Sequence, residues 1–180
     1  MSIADLSKRI KDAQTNDEMG FRASTYATDY IYQGKCFSTS QRLTIESANN
    51  MFILFDITGA YSAGRVVSVY TPVLDTTTGP LHIDYYYASD YTGGTSFLVN
   101  NRVSYGGNCN CTLTYGATDA GGGKGIKFTE GFVASGHKST GTSQEGLEFV
   151  PPQNTKILVE IDNTNGSNAT AFVNFVWFEV

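Results

Sequence analysis

Charge is scarce in this chain. Only 16% of its 180 residues are Asp, Glu, Lys or Arg, against about a quarter in an average domain. Twelve basic and seventeen acidic residues leave a net charge of -5, which excludes nucleic-acid binding through bulk positive potential. Histidine is nearly absent: His82 and His137 are the two the chain offers, so imidazole chemistry has few places to sit. Cysteine is limited to Cys36, Cys109 and Cys111. An odd count with no CxxC spacing suits synthesis in a reducing cytoplasm, with thiols acting as small buried groups. No apolar run approaches the roughly 18 residues of a membrane-spanning helix. The opening MSIADLSKRIKDAQTNDEMG lacks the apolar centre of a secretory signal. Low charge does not mean disorder here, because 11 Phe, 11 Tyr and one Trp supply apolar surface that a disordered chain does not carry.

What is present reads as β structure. Gly, Thr, Tyr, Phe and Asn are abundant and Lys, Glu and Leu are few, the usage of strands and turns. Helical spacing occurs only at the start, where Ile3, Leu6 and Ile10 fall three and four residues apart. Ser2 followed by Asp5 is a capping signal. So short a stripe cannot sustain a helix alone. It is either an arm that docks on a partner or a frayed terminal turn. Ala23 to Tyr32, with Tyr26, Tyr30 and Tyr32, reads as extended aromatic sequence.

Period-two runs follow. Leu43 and Ile45 alternate with Thr44 and Glu46. Met51 to Ile57 is apolar on both faces and predicts a central strand. Arg65 to Val73 and Leu81 to Tyr87 alternate, the latter with Leu81, Ile83, Tyr85 and Tyr87 on one face and His82, Asp84 and Tyr86 on the other. Ser96 to Ser104, Cys109 to Tyr115, Ile126 to Ala134, Leu147 to Val150, Thr155 to Asp162 and Thr170 to Val180 continue the pattern. Asn165-Gly166, between the last two, is a hairpin-turn signal. Nine or ten such strands predict an all-β fold, an antiparallel β-sandwich or barrel. Long connections at 74–80, 116–125 and 135–146 suit Greek-key crossovers and hence a jelly roll with a short N-terminal helix or arm, a lectin-like or immunoglobulin-like sandwich being the competitor. The chain divides into an arm, 1–35, and a β-sandwich domain, 36–180.

Motif chemistry is thin. Around Gly121-Gly122-Gly123-Lys124-Gly125 a phosphate loop would need glycine where Thr118 stands, Ser or Thr where Gly125 stands, and a following helix; a flexible loop explains it. Cys109 and Cys111 share a strand face, but a structural zinc site needs two more ligands, and two small core residues fit better. His82 and Asp84 share a face and can touch, yet no GxSxG accompanies them. His137 lies in a polar loop. Asp162 to Gly166 lacks the terminal Glu of a calcium loop. The sequons at Asn165 and Asn168 carry no weight in a chain without a secretory signal. No catalytic residue, metal or cofactor is expected, and the chain is not read as an enzyme. Tyr86 and Tyr91, in the cluster Tyr85-Tyr86-Tyr87-Ala88-Ser89-Asp90-Tyr91 before Gly93-Gly94, are candidates for a protein interface, with core packing and sugar stacking as alternatives.

Residues 36–180 resemble small virion proteins of tailed bacteriophages. The resemblance rests on Phe52-Ile53-Leu54-Phe55-Asp56-Ile57-Thr58-Gly59, Gly79-Pro80-Leu81-His82-Ile83-Asp84-Tyr85-Tyr86, Asn100-Asn101-Arg102, Pro152-Gln153-Asn154-Thr155-Lys156-Ile157-Leu158-Val159-Glu160-Ile161 and the terminal Trp177-Phe178-Glu179-Val180. It implies a jelly-roll or sandwich subunit that decorates or cements a capsid, or forms a head fibre or tail appendage with receptor- or glycan-binding as the alternative role. It implies a homo-oligomer, trimer favoured over dimer, with the major capsid protein or another virion protein as partner and neither nucleic acid nor membrane. It places the chain in the virion after synthesis in the host bacterial cytoplasm. The family has no catalytic residues to carry over. The expected contact residues are Ile3, Leu6, Ile10, Tyr26, Tyr30 and Tyr32 on the arm, with Tyr86 and Tyr91 on the sandwich.

Overall fold

Alternation of apolar and polar side chains becomes strands in the computed structural model, which describes residues 33, 35–76, 80–102, 108–134, 138–139 and 148–180. β1 (Cys36–Ile45) buries Phe37, Leu43 and Ile45 and exposes Ser40, Arg42 and Thr44. β2 (Asn49–Asp56) is followed by one helical turn, α1 (Thr58–Ser62), then by β3 (Val67–Thr76) and β4 (Leu81–Tyr87). Five short strands come next: β5 (Tyr91–Thr92), β6 (Thr95–Ser96), β7 (Asn100–Asn101), β8 (Thr112–Tyr115) and β9 (Thr118–Asp119). The chain ends through β10 (Ile126–Val133), β11 (Lys138–Ser139), β12 (Glu148–Phe149), β13 (Lys156–Asn163) and β14 (Ala169–Glu179).

Two sheets pack face to face. The first runs β11–β3–β14–β1–β7, with β12 also beside β3; the second runs β10–β4–β13–β2–β8–β6; β5 and β9 form a separate ribbon. Setting aside the strands between β4 and β10 leaves (β11, β12)–β3–β14–β1 over β10–β4–β13–β2. That is the order of a jelly roll, two Greek keys folded over each other. The segment between β4 and β10 is therefore an insertion, residues 88–125. It adds β8 and β6 to the second sheet beside β2, and β7 to the first sheet beside β1.

The core fills the space between the sheets with Phe37, Ile53, Phe55, Leu81, Ile83, Val159, Ile161, Phe175 and Trp177, all at most 1% exposed. Trp177 stacks on Phe37 at 5.9 Å between centroids and meets Phe55 edge-on at 5.2 Å. Each such side chain contributes roughly 1.5–3 kcal/mol on burial. β2 lies between β13 and β8, the central position its two-sided apolar pattern predicts.

Three expectations from the sequence need correction. The Asn165-Gly166 turn does not close a hairpin: β13 pairs with β2 and β4, and β14 with β1 and β3. The turn carries the chain from one sheet to the other. Asn163 fixes it by donating from Nδ2 to the carbonyls of Ile45, Glu46 and Ser167. The run Ser96 to Ser104 is not one strand, because it leaves the second sheet at β6 and joins the first at β7, burying Phe97 and exposing Leu98 on the way. Helix is not confined to the start of the chain, since α1 forms directly after the Met51 to Ile57 run. Asp56 Oδ1 accepts from the Thr58 amide at 2.9 Å and its hydroxyl at 2.6 Å. The expected N-terminal helix lies outside the described residues.

Candidate interaction surface

The insertion lies against the outer face of the second sheet. There Leu54 of β2 and Leu158 of β13 are buried beneath Tyr91 and Ala117, with Phe52 and Tyr86 at the margin. The Tyr91 and Phe52 rings meet at 4.8 Å. A buried carboxylate, Glu160, holds the far end. Lys124 Nζ reaches both its oxygens at 2.7 Å, Asn50 Nδ2 donates at 2.6 Å, and the Tyr86 hydroxyl lies 3.0 Å away. The Lys124 ammonium also sits over the rings of Phe52 and Tyr86, at 5.6 and 5.8 Å. Desolvation, then the Glu160 and Asp84 carboxylates, push the Tyr86 phenol far above its ordinary range. Burial raises Tyr91 too. Tyr86 and Tyr91 are thus engaged within the chain. The other six expected contact residues, Ile3, Leu6, Ile10, Tyr26, Tyr30 and Tyr32, lie outside the described residues.

The glycine run closes this region. Asp119 Oδ1 accepts from the amides of Gly121 and Gly123, and Asp90 Oδ2 from that of Gly122. The N–H groups a phosphate would need are already given to carboxylates. Gly125, at φ +90°, lets the chain pass under β4: a Cβ there would lie 2.3 Å from the Tyr87 carbonyl oxygen.

A second buried carboxylate holds the insertion at the opposite side. Glu179 is fully buried near the end of β14. It accepts from the Asn110 amide at 2.9 Å, Asn110 Nδ2 at 2.9 Å, the Cys111 amide at 3.0 Å and the Cys109 thiol at 3.1 Å, and it pairs with Arg65 at 3.1 Å. Burial alone would raise its pKa; the hydrogen bonds from Asn110, Cys109 and Cys111 outweigh that and hold it below the usual carboxylate value. The thiols respond oppositely. The hydrogen bond with Cys109, burial and the Glu179 charge push Cys111 strongly upward, and burial raises Cys36. Both thiols are thereby held toward their protonated form.

The β10 side is different. β10 ends the second sheet with no described strand beyond it, and all of its residues but Gly131 and Val133 are exposed. Ile126, Phe128 and Phe132 project from it, with Val150 close by in the chain's fold at 61% exposure. Phe128 occupies a bulge between Lys127 and Thr129 and packs on Tyr87 at 5.6 Å and Tyr85 at 6.2 Å. Tyr87, Phe128, Val150, Pro151, Pro152 and Ile157 line an open apolar groove of about 140 Å³. On the outer face Lys127 bridges Asp84 at 2.8 Å and Glu130 at 2.5 Å, and His82 Nδ1 stands 3.6 Å from Asp84. His82, Asp84 and Glu130 are clustered closely enough for a cation, but the Lys127 ammonium already supplies the countercharge. His137 lies outside the described residues. This edge did not emerge from the sequence reading. Its signal was present in Ile126, Lys127, Phe128 and Glu130: apolar and charged groups interleaved on one strand of a charge-poor chain.

No family model and no curated protein matches the chain. Among solved structures it is similar to the Yersinia pseudotuberculosis-derived mitogen, with 9% identity over 77% of this chain and 83% of that one, at a TM-score of 0.37. It is similar to a protein of Bacillus endospore appendages, which form disulfide-linked pili, with 16% identity over 82% and 93% and a TM-score of 0.36. PirA matches with 13% identity over 79% and 94% at 0.35. These scores are low, and it is the strand order, not the neighbours, that assigns the fold.

Proposed function

We propose that this chain is a structural subunit of a tailed-bacteriophage virion, decorating or cementing the capsid through protein–protein contacts and associating with itself. The observation that supports it most is the asymmetry of the sandwich. Two buried carboxylates, Glu160 and Glu179, hold the insertion in place, while the β10 edge exposes Ile126 and Phe128 on one face and Phe132 on the other, with Val150 beside Phe128. Clustered exposed apolar side chains mark contact surfaces rather than solvent-facing ones. Low charge suits extended contacts of the same kind. The jelly roll itself is compatible with this role without selecting it, since fold does not fix function.

The groove beside Phe128 bears on a second reading, glycan or receptor binding. A sugar site sets polar groups around an aromatic face. This groove is walled by Val150, Pro151, Pro152 and Ile157, which favours an apolar protein segment.

In this reading the arm reaches the shell. The test is co-sedimentation of the full chain, and of a chain lacking residues 1–34, with purified capsids. Lys35 is kept because its carbonyl accepts from the Glu179 amide at 3.0 Å. Attachment of the full chain, and its loss on truncation with the melting temperature nearly unchanged, is the expected result. No attachment of the full chain contradicts the capsid role. Attachment of the truncated chain moves the contact onto the sandwich.

A further inference from the structure

We infer that β10 pairs with the β10 of a second copy, antiparallel across a two-fold axis, joining the two second sheets into one. This deepens the reading of self-association above and rests on it only for the expectation that copies meet.

The argument starts from the bulge. Residues opposite each other on neighbouring strands share a face. Against β4, Ile126, Thr129, Gly131 and Val133 lie opposite Tyr87, Tyr85, Ile83 and Leu81 on the core side. Lys127, Glu130 and Phe132 lie opposite Tyr86, Asp84 and His82 on the outer side. The extra residue, Phe128, packs on Tyr85 and Tyr87 and so belongs to the core side. The order of faces along residues 126–131 is therefore core, outer, core, core, outer, core. It reads the same in both directions, about a centre between Phe128 and Thr129.

A two-fold axis at that centre sets Ile126 opposite the other copy's Gly131, Lys127 opposite its Glu130, and Phe128 opposite its Thr129. Every pair shares a face. A shift of one residue sets Lys127 opposite Thr129 or Gly131, on the wrong face, so the bulge excludes the neighbouring registers. Charge then agrees with geometry: Lys127 and Glu130, which already pair within one copy, come opposite each other twice across the axis and extend that ion pair between copies, the favourable cross-strand combination. The two Phe128 rings approach beside the axis, each at the rim of its own groove. This edge carries a bulge and the charges Lys127 and Glu130, devices that elsewhere guard an edge, but it also exposes Ile126, Phe128 and Phe132 between them. Pairing through main-chain bonds at a sheet edge is an established mode of recognition, and a self-complementary patch closes as a dimer.

The test uses charge reversal in the full chain, followed by sedimentation at several protein concentrations. The wild type is expected to dimerise at micromolar concentration. Lys127→Glu places Glu opposite Glu twice, and Glu130→Lys places Lys opposite Lys twice. Each variant alone should associate at least roughly tenfold more weakly, as like charges brought together repel. Mixed in equal amounts, the two variants form two attractive pairs and should recover the dimer. Both residues are substantially exposed, and melting curves check that each variant folds. A monomeric wild type, a wild-type trimer, or a dimer indifferent to both reversals overturns the proposal, as does a mixture that fails to recover. Capsid attachment is read separately, so a capsid-binding monomer overturns the pairing alone, and a dimer that ignores capsids overturns the capsid role alone.

Discussion

The two long edges of this sandwich are finished in opposite ways. At the β1–β2 edge the insertion adds β7 to one sheet and β8 and β6 to the other. Phe97 crosses between them, buried, its ring 5.3 Å from Tyr115 and 6.5 Å from Phe175. The Thr39 hydroxyl donates to the Leu98 carbonyl at 2.7 Å, stitching the crossing to β1. At the β10 edge no described strand is added, and Ile126, Phe128 and Phe132 are exposed. An unpaired strand row is a hazard that chains usually cover. Among the described residues one edge is covered and the other is open, which separates the part of the surface made for stability from the part available for contact.

Removing Glu179 should damage the covered side most. Glu179→Ala leaves the Asn110 and Cys111 amides without their acceptor in a buried site, and should cost about 3–5 kcal/mol in chemical denaturation. The same group predicts acid sensitivity. Its folded pKa is held below the ordinary glutamate value of 4.5, so its contribution is present above that pH and is lost as pH falls through the lower folded value.

Alkali should act on the other side. Burial raises the Tyr85 phenol from 10.0 to about 12, beneath the Phe128 ring of the open edge. A raised pKa of this kind favours the folded state fully below pH 10 and loses that effect as pH climbs toward 12. The loss amounts to about 2–3 kcal/mol across that window. Absorbance of ionised phenol should therefore rise for Tyr85 only together with loss of structure.

A smaller effect is expected where the insertion rejoins the sandwich. Gly125→Ala combines positive φ with a close approach to the Tyr87 carbonyl, and should lower stability by at least about 1–2 kcal/mol. The smallest effect on folding is expected at the open edge. Phe132→Ser, at a side chain 65% exposed, should change stability by no more than about 0.5 kcal/mol while weakening self-association.

Much of the architecture was legible in period-two alternation. The runs at Met51 to Ile57, Leu81 to Tyr87 and Thr155 to Asp162 became β2, β4 and β13, because strand faces are written locally in the side chains. Pairing is not local. Consecutive strands of a jelly roll mostly lie in different sheets, so Asn165-Gly166 looked like a hairpin and is a crossing. The latches were equally hidden. Glu160 meets Lys124, and Glu179 meets Asn110, across long stretches of sequence, and an isolated Glu in a strand carries no sign of its partner. Tyr86 and Tyr91 stand out in the sequence as a cluster, which does not reveal that Tyr91 belongs to an insertion packed against the sheet that carries Tyr86.

Hydrogen exchange of the two edges, followed in one sample from low to high protein concentration, tests the contrast most directly. Amides of β8 and of its partners on the covered edge should exchange slowly at every concentration. Those of β10 that face away from β4 should exchange fast when dilute and slow down as concentration rises. Equal and concentration-independent exchange at both edges would contradict the account.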